Sequence, residues 1–322
     1  MLPSLHHAAV ALRKASSVVI CAHVRPDGDA VGSVLALTLA LKALGIPAIP
    51  TLADDEDPPA TYSWLPGYGL YTRAADLESP AVFVALDTPN PERLGNARKL
   101  AEAAEVLIVM DHHPDAQQYG DIHVLQPEAA ASGELVWRLL EALDVVADSE
   151  IALCCYTALL TDTGRFSYQN TTAASLRHAA DMIDAGVSPS EVSRMVYQDR
   201  SAASLALEAR AMSRLAVVNG GRVAYTYVTD EDFAELGTAN AEAEHLPEAV
   251  RVVSGIEVAV LLRQQGSHVR GNLRAKTTAD VGAVARFFNG GGHAAAAGFT
   301  AENTTIPELL GVLLPMLPGG EE

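Results

Sequence analysis

The chain has 322 residues, 49% of them hydrophobic, and a formal net charge of −18 from 40 acidic and 22 basic side chains. That length accommodates two ordinary domains with their own cores, and the hydrophobic content excludes a disordered chain. The acidity excludes a protein that coats long nucleic acid, because neutralising phosphates with Lys and Arg dominates such binding; a short nucleotide held at a local cationic or metal site stays open.

His6, His7, Arg13 and Lys14 interrupt the first apolar segment and no small-residue cleavage site follows, so the sequence predicts no signal peptide and a cytoplasmic protein. In the first half, apolar runs alternate with helical patterns, which predicts an α/β domain on a largely parallel sheet. Strands are expected over 18–22, 46–52, 81–86 and 106–110. A helix over 29–44, closed by Gly45, follows the first strand. The acidic stretch 54–57 beside Pro58 and Pro59 reads as a solvated surface turn. Further helices are expected from Ser132 (read as an N-cap), over 150–160, and over 172–185 before Gly186. The longest apolar run, at 151–160, is shorter than the roughly 20 residues of a membrane helix. Cys21, Cys154 and Cys155 are too few and too badly spaced for a disulfide framework or a CxxC zinc site, and read as small buried hydrophobes. The stretch 188–216 reads as a helical connector. Beyond it, strands over 222–229, 257–263 and 269–273 and a helix over 280–288 predict a smaller α/β domain. The expected division is 1–187, 188–216 and 217–322.

Chemistry-bearing residues collect where strands end. His23, Asp27 and Asp29 follow the first strand, in CAHVRPDGDAVGS; Asp87 follows 81–86; Asp111, His112 and His113 follow 106–110; Asp162 follows the helix over 150–160. In a parallel α/β sheet, ligands bind outside the carboxyl ends of the strands. Singly, each residue reads as ordinary: Pro26-Asp27-Gly28 as a turn, Asp29 as a helix cap, Asp87 as a loop residue. Together, uncompensated carboxylates at one sheet edge would repel each other, and divalent cations would remove that penalty. His23, Asp27, Asp29, Asp87, His112 and Asp162 form a thiolate-free oxygen and nitrogen set, which suits Mn²⁺ or a similar metal better than structural zinc. Six such groups suffice for two metals about 3.5–4 Å apart if one carboxylate bridges, an arrangement for transferring a phosphoryl group to water.

HVRPDGDAVGS, LDTP, DHHP and TDTGRF, with GNLRAK at 271–276 and FFNGGGHAAAAGF at 287–299, resemble the motifs of the DHH phosphoesterase superfamily and its DHH-associated C-terminal domain, in order over nearly the whole chain. The resemblance implies a parallel-sheet DHH domain facing a smaller α/β substrate-binding domain across a cleft. The compact nanoRNase/pAp phosphatase type fits best. Family II pyrophosphatases lack the GGGH domain, RecJ-type exonucleases carry an added OB-fold, and membrane-bound cyclic di-AMP phosphodiesterases carry membrane helices.

The resemblance further implies His23, Asp27 and Asp87 on one metal, and Asp29, Asp87, His112 and Asp162 on the other. Asp111 would orient an imidazole, and His113 would face the scissile phosphate or assist the leaving oxygen. Asn272, Arg274, His293 and the backbone of Gly290, Gly291 and Gly292 would meet the substrate's other phosphate. Relatives often carry serines where this chain has Asn272 and Ala275, and a basic residue where Ala294 and Ala295 follow the GGGH. The implied activity is Mn²⁺-dependent hydrolysis of oligoribonucleotides about 2–5 nucleotides long, with pAp as a further substrate and Mg²⁺ or Co²⁺ as substitute metals. The alternatives are a soluble cyclic di-AMP/pApA phosphodiesterase and a non-catalytic nucleotide sensor. No long duplex and no membrane are expected as partners, and a homodimer is implied.

Overall fold

The computed structural model describes residues 3–320, and the chain divides into two compact units, one ending at Gln198 and the other beginning at Asp199. In the first, the elements are α1 (Pro3–Lys14), β1 (Val18–Cys21), α2 (Gly28–Ala43), β2 (Ala48–Leu52), β3 (Thr72–Arg73), β4 (Val82–Leu86), α3 (Arg98–Ala103), β5 (Val106–Asp111), β6 (Ile122–Leu125), α4 (Ser132–Ala142), α5 (Ser149–Asp162), α6 (Ala173–Asp184) and α7 (Pro189–Ser193).

All six strands pair in parallel, in the order β3-β2-β1-β4-β5-β6. The chain runs outward from β1 to β2 and β3, then returns past β1 to β4. The strand order therefore reverses between β1 and β4, which is where such sheets open a crevice for ligand. β1 (VVIC) and β4 (VFVAL) are buried along their whole length, as expected for parallel strands covered on both faces. α2 is apolar almost all round and buried almost all round. It lies against α5 so closely that a Cβ on Gly32 would come within 2.5 Å of the Cys154 carbonyl oxygen. Leu135, Val136 and Leu139 of α4 join the same core. Among the described residues, no helix is long and apolar enough to cross a membrane.

The second unit contains α8 (Ala202–Ser213), β7 (Ala216–Val218), β8 (Val223–Val228), α9 (Asp230–Leu236), α10 (Leu246–Arg251), β9 (Val258–Gln265), β10 (His268–Ala275), α11 (Val281–Phe287), β11 (Gly291–Gly292), β12 (Ala296–Glu302) and α12 (Ile306–Leu313). Its sheet runs β11-β12-β10-β9-β8-β7, antiparallel except for the β8–β9 pair. β10 alternates strictly. Val269, Gly271, Leu273 and Ala275 are buried, while His268, Arg270, Asn272 and Arg274 take the opposite face. The buried set packs with Val281 and Ala285 of α11 and Ile306, Leu309 and Leu313 of α12.

The expected strand and helix boundaries shift by a residue or two, but two differences have physical content. The segment expected as one helix over 188–216 is interrupted: α7 passes into a π-helical turn at Arg194–Gln198, and α8 starts afresh with the Ser201 side chain accepting from Ser204 N. The sequence pattern gave no strand at β12 (AAGFTAE), because alanine and glycine have little strand preference of their own. That strand exists through its pairing with β10.

Candidate metal centre and active site

His23 and Asp87 emerge from β1 and β4, the two strands at the switch point. The chain bends at Val24 and Arg25, with Arg25 at φ +55°, so the reversal falls before the Pro26-Asp27-Gly28 turn expected from sequence. His23 Nδ1 lies 2.8 Å from the Val24 carbonyl oxygen. With Nδ1 donating there, Nε2 is turned toward Asp87 Oδ2 at 3.4 Å and Asp27 Oδ1 at 3.9 Å. Asp27 is the N-cap of α2, its Oδ1 accepting from the backbone N–H of Asp29 and Ala30, both at 3.1 Å. The expected cap at Asp29 is therefore corrected. Asp29 sits inside the first turn, buried, and accepts from Ser33 Oγ (2.9 Å), Ser132 N (2.7 Å) and Gly133 N (2.8 Å).

Asp87 holds a left-handed backbone at φ +54°, unusual for a non-glycine residue, directly after β4, while its N–H extends the ladder to Met110 O. The Ser132 hydroxyl donates to Asp87 Oδ1 at 3.2 Å. Ser132 was expected to cap α4. Ala131 takes that position without a side-chain bond, and Ser132 instead serves the two carboxylates.

His112 Nε2 is the meeting point of three carboxylates: Asp29 Oδ2 and Asp87 Oδ1 at 3.5 Å and Asp162 Oδ2 at 3.6 Å. Its Nδ1 faces the Ala129 carbonyl oxygen at 3.3 Å. Asp162 closes α5 as its last residue, not in a following loop, and Asn170 Nδ2 donates to both its carbonyl and its Oδ2. Asp111, fully buried at the end of β5, accepts at Oδ1 from the His113 N–H (2.6 Å) and faces His113 Nδ1 at 2.9 Å. His113 Nδ1 is also 3.5 Å from Asp87 Oδ1.

The imidazole-to-carboxylate separations of 3.4–3.9 Å around His23 and His112 exceed hydrogen-bond length. Both rings direct Nε2 at carboxylates while Nδ1 is tied to a backbone carbonyl, the disposition of imidazoles that ligate metal. Burial first, then the neighbouring Asp87, pushes the Asp29 carboxyl well above the usual carboxylate range. Burial likewise pushes Asp162 up to about 6. Asp87 goes the other way: burial opposes its charge, but the imidazoles of His112 and His23 beside it hold it well below the usual range. Burial disfavours charge on His112 too, yet Asp162, Asp87 and Asp29 outweigh it and raise that imidazole well above its ordinary range. Left to itself, the cluster retains protons that a divalent cation would replace. The donors are oxygen and nitrogen only, and they fit such a cation. His23, Asp27 and Asp87 could hold one, and Asp29, Asp87 and His112, with Asp162 beside them, could hold another.

In the second unit, Arg274 is engaged: Nε donates to Glu248 Oε1 at 2.8 Å and Nη1 to the Leu273 carbonyl at 3.1 Å. Asn272 Oδ1 accepts from the buried Arg263 at 3.1 Å. By register, Arg263, Arg270, Asn272 and Arg274 share one sheet face with Gly298 of β12. His293 closes a tight turn, its N–H donating to Ala296 O at 2.8 Å. The glycine run divides by role. A Cβ on Gly290 would meet Gly298 O at 2.2 Å, and Gly292, at φ +126°, would meet Ala296 O at 2.5 Å, whereas Gly291 faces open space. Strand packing alone thus requires two of the three glycines. Sequence reasoning did not single out Asn170, Glu248 or Arg263, whose partners lie 8 to 40 residues away. Residues 55–57 of the acidic stretch are exposed as expected and Asp54 is half-buried; the stretch also pins loops, with Asp54 accepting from Arg25 N and Asp57 pairing with Arg73 at 2.8 Å.

The DHH family N-terminal domain model matches residues 17–159, and the DHHA1 domain model matches 220–314. The chain is 32% identical over 292 residues to the bifunctional oligoribonuclease and PAP phosphatase NrnA of Thermus thermophilus, covering 90% of this chain and 86% of that one. It belongs to the DHH family of phosphoesterases. The Bacillus subtilis protein of the same description is 28% identical, with 88% of each chain covered. An exopolyphosphatase-related protein from Bacteroides fragilis shares the fold at a TM-score of 0.88 and 24% identity, covering 96% of this chain and 94% of that one. In this DHH chain, the triplet that names the family is Asp111-His112-His113, and its three side chains diverge in use. His112 turns to the carboxylate cluster, while Asp111 and His113 turn to each other.

Proposed function

We propose that the chain hydrolyses very short oligoribonucleotides, of about 2–5 nucleotides, to mononucleotides, and that it removes the 3′-phosphate of pAp, using two divalent cations, Mn²⁺ by preference. The observation that carries this reading is the convergence of Asp29, Asp87 and Asp162 on His112 Nε2, with His23 and Asp27 on the other side of Asp87. His23, Asp27 and Asp87 would hold one cation. Asp29, Asp87, His112 and Asp162 would hold the other, with Asp87 common to both. Bound there, divalent cations supply activation of water and neutralisation of charge on the phosphoryl oxygens.

The remaining chemistry belongs to side chains. The carboxylate of Asp111 fixes the His113 ring and, against the opposing effect of burial, raises its basicity. His113 is thereby kept able to give a proton to the leaving oxygen from Nε2. Arg274, Asn272, His293 and the backbone of Gly290, Gly291 and Gly292 are proposed to take the substrate's other phosphate. A bound terminal phosphate would limit substrate length, and it fits a chain with too little positive charge to grip long nucleic acid. A cytoplasmic location belongs to the same reading and is supported by three free, buried cysteines. A homodimer, implied by the family resemblance, completes the proposal.

The test is hydrolysis of end-labelled two- to five-mers and of pAp, with Mn²⁺ and with EDTA, with pApA and cyclic di-AMP run in parallel. Turnover of the short RNAs and pAp that EDTA abolishes is expected. Equal rates under both conditions would sink the two-metal reading, and turnover of cyclic di-AMP alone would move the substrate assignment to cyclic dinucleotides.

A further inference from the structure

Four of the six candidate metal ligands are linked, directly or through Asn170, to one short segment, residues 129–133. The Ala129 carbonyl faces His112 Nδ1; Asn170, which holds Asp162, also donates to the Ala130 carbonyl at 2.9 Å; Ser132 N and Gly133 N donate to Asp29; Ser132 Oγ donates to Asp87. The position of 129–133 therefore sets the geometry of the Asp29–Asp87–His112–Asp162 group. It does not touch His23 or Asp27 through any of these bonds.

Glu134 and His178 fix that backbone from behind. Glu134 Oε2 accepts from Ala130 N at 2.9 Å, so Ala130 is gripped at both its N–H and its carbonyl, one in each of its two flanking peptide groups. Glu134 Oε1 lies 3.0 Å from His178 Nδ1 on α6. A carboxylate buried in the first turn of α4 is unremarkable on its own, because helix N-termini favour negative charge. Here the same turn already receives the Asp29 carboxylate. A second buried carboxylate would compete with Asp29 for that positive end unless it had a partner, and His178 is that partner.

We propose that Glu134 and His178 are positioning residues for the metal position built on Asp29, Asp87, His112 and Asp162, and for that position only. This inference rests on the two-metal reading above. Neither residue touches the candidate ligands directly. Both act by locating the 129–133 backbone, as groups behind a ligand locate it and tune its affinity.

The test counts tight Mn²⁺ sites by calorimetric titration of the metal-free full chain, with thermal midpoints in EDTA as a fold control. Wild type is expected to bind two ions. Glu134→Ala should weaken one by roughly 10–100-fold, the usual cost of losing a group behind a ligand, and leave the other unchanged. Glu134→Gln, which retains an acceptor for Ala130 N, should restore most of that loss. His178→Ala, at a partly exposed position, should give the same one-site loss in smaller measure and guards against a Glu134→Ala protein that does not fold. Two unchanged sites in Glu134→Ala or, if that variant fails to fold, in His178→Ala would overturn the positioning role. Equal weakening of both sites, in step with a fall in the EDTA midpoint, would overturn it as well, in favour of a general structural role. A wild-type chain that binds no Mn²⁺ would instead overturn the metal reading on which the proposal stands.

Discussion

The two halves of the candidate centre share Asp87 and little else. On one side, the Asp27 side chain is 62% exposed and spends Oδ1 on capping α2, while the far nitrogen of His23, Nδ1, rests on its own neighbour's carbonyl. On the other, Asp29 is 1% exposed and His112 4%, and each donor is linked to the 129–133 segment: Asp29 and His112 through its backbone, Asp87 through the Ser132 hydroxyl and Asp162 through Asn170. Preorganisation is therefore unequal. The second position would be built before any cation arrives, whereas the first would gain part of its order from the cation. We expect a chelator to strip the first position before the second.

The largest effect should come from the shared residue. Asp87→Asn removes a carboxylate from both positions, so tight Mn²⁺ binding should fall from two ions to none. Turnover should fall by more than the roughly 10²–10³-fold typical of losing one electrostatic contact. Retention of one tight ion would show that the halves do not share it. Asp29→Asn comes next: it should remove one ion, the one released last in wild type, with a loss of turnover on the order of 10²–10³-fold. Loss of the early-released ion instead would reverse the comparison.

Asp27 separates structure from chemistry on the exposed side. Asp27→Ala should destabilise the metal-free protein by about 1 kcal/mol through loss of the helix cap, whereas Asp27→Asn should keep the cap. Both should weaken only the early-released ion, as read by a chelator competition. An equal fall in thermal midpoint for the two variants would contradict the capping role.

The smallest effect is the pH response of the buried side. Burial raises Asp162 from 3.8 unfolded to about 6 folded. The metal-free protein therefore has this contribution to stability in full below pH 4 and loses it as pH rises through about 6. Mn²⁺ affinity at the second position should rise over the same interval as protons cease to compete. A thermal shift on adding Mn²⁺ that is larger at pH 5 than at pH 7 would contradict that sign.

The clustering of the candidate ligand residues was legible in the sequence because each follows a strand or sits near a helix end, and because the switch-point rule says where such residues meet. What holds them was not legible. Ser132 looks like a helix cap by local pattern, but its use is decided by Asp29 and Asp87, 103 and 45 residues away. Glu134 reads as one more first-turn acid, and nothing local distinguishes His178 from a surface histidine; only the packing of α6 beside α4 pairs them across 44 residues. In the second unit, the glycine motif was visible, but Glu248 beside Arg274 of β10 arrives from α10, 26 residues away. Local pattern encodes which groups are displayed, and tertiary packing decides what grips them.

The most direct measurement is anomalous diffraction at the manganese edge from crystals of the full chain soaked in Mn²⁺. Two peaks are expected, one beside His23, Asp27 and Asp87 and one beside Asp29, Asp87, His112 and Asp162, with Asp87 contacting both. No peak, or a single peak that Asp87 does not contact, would contradict the two-metal reading.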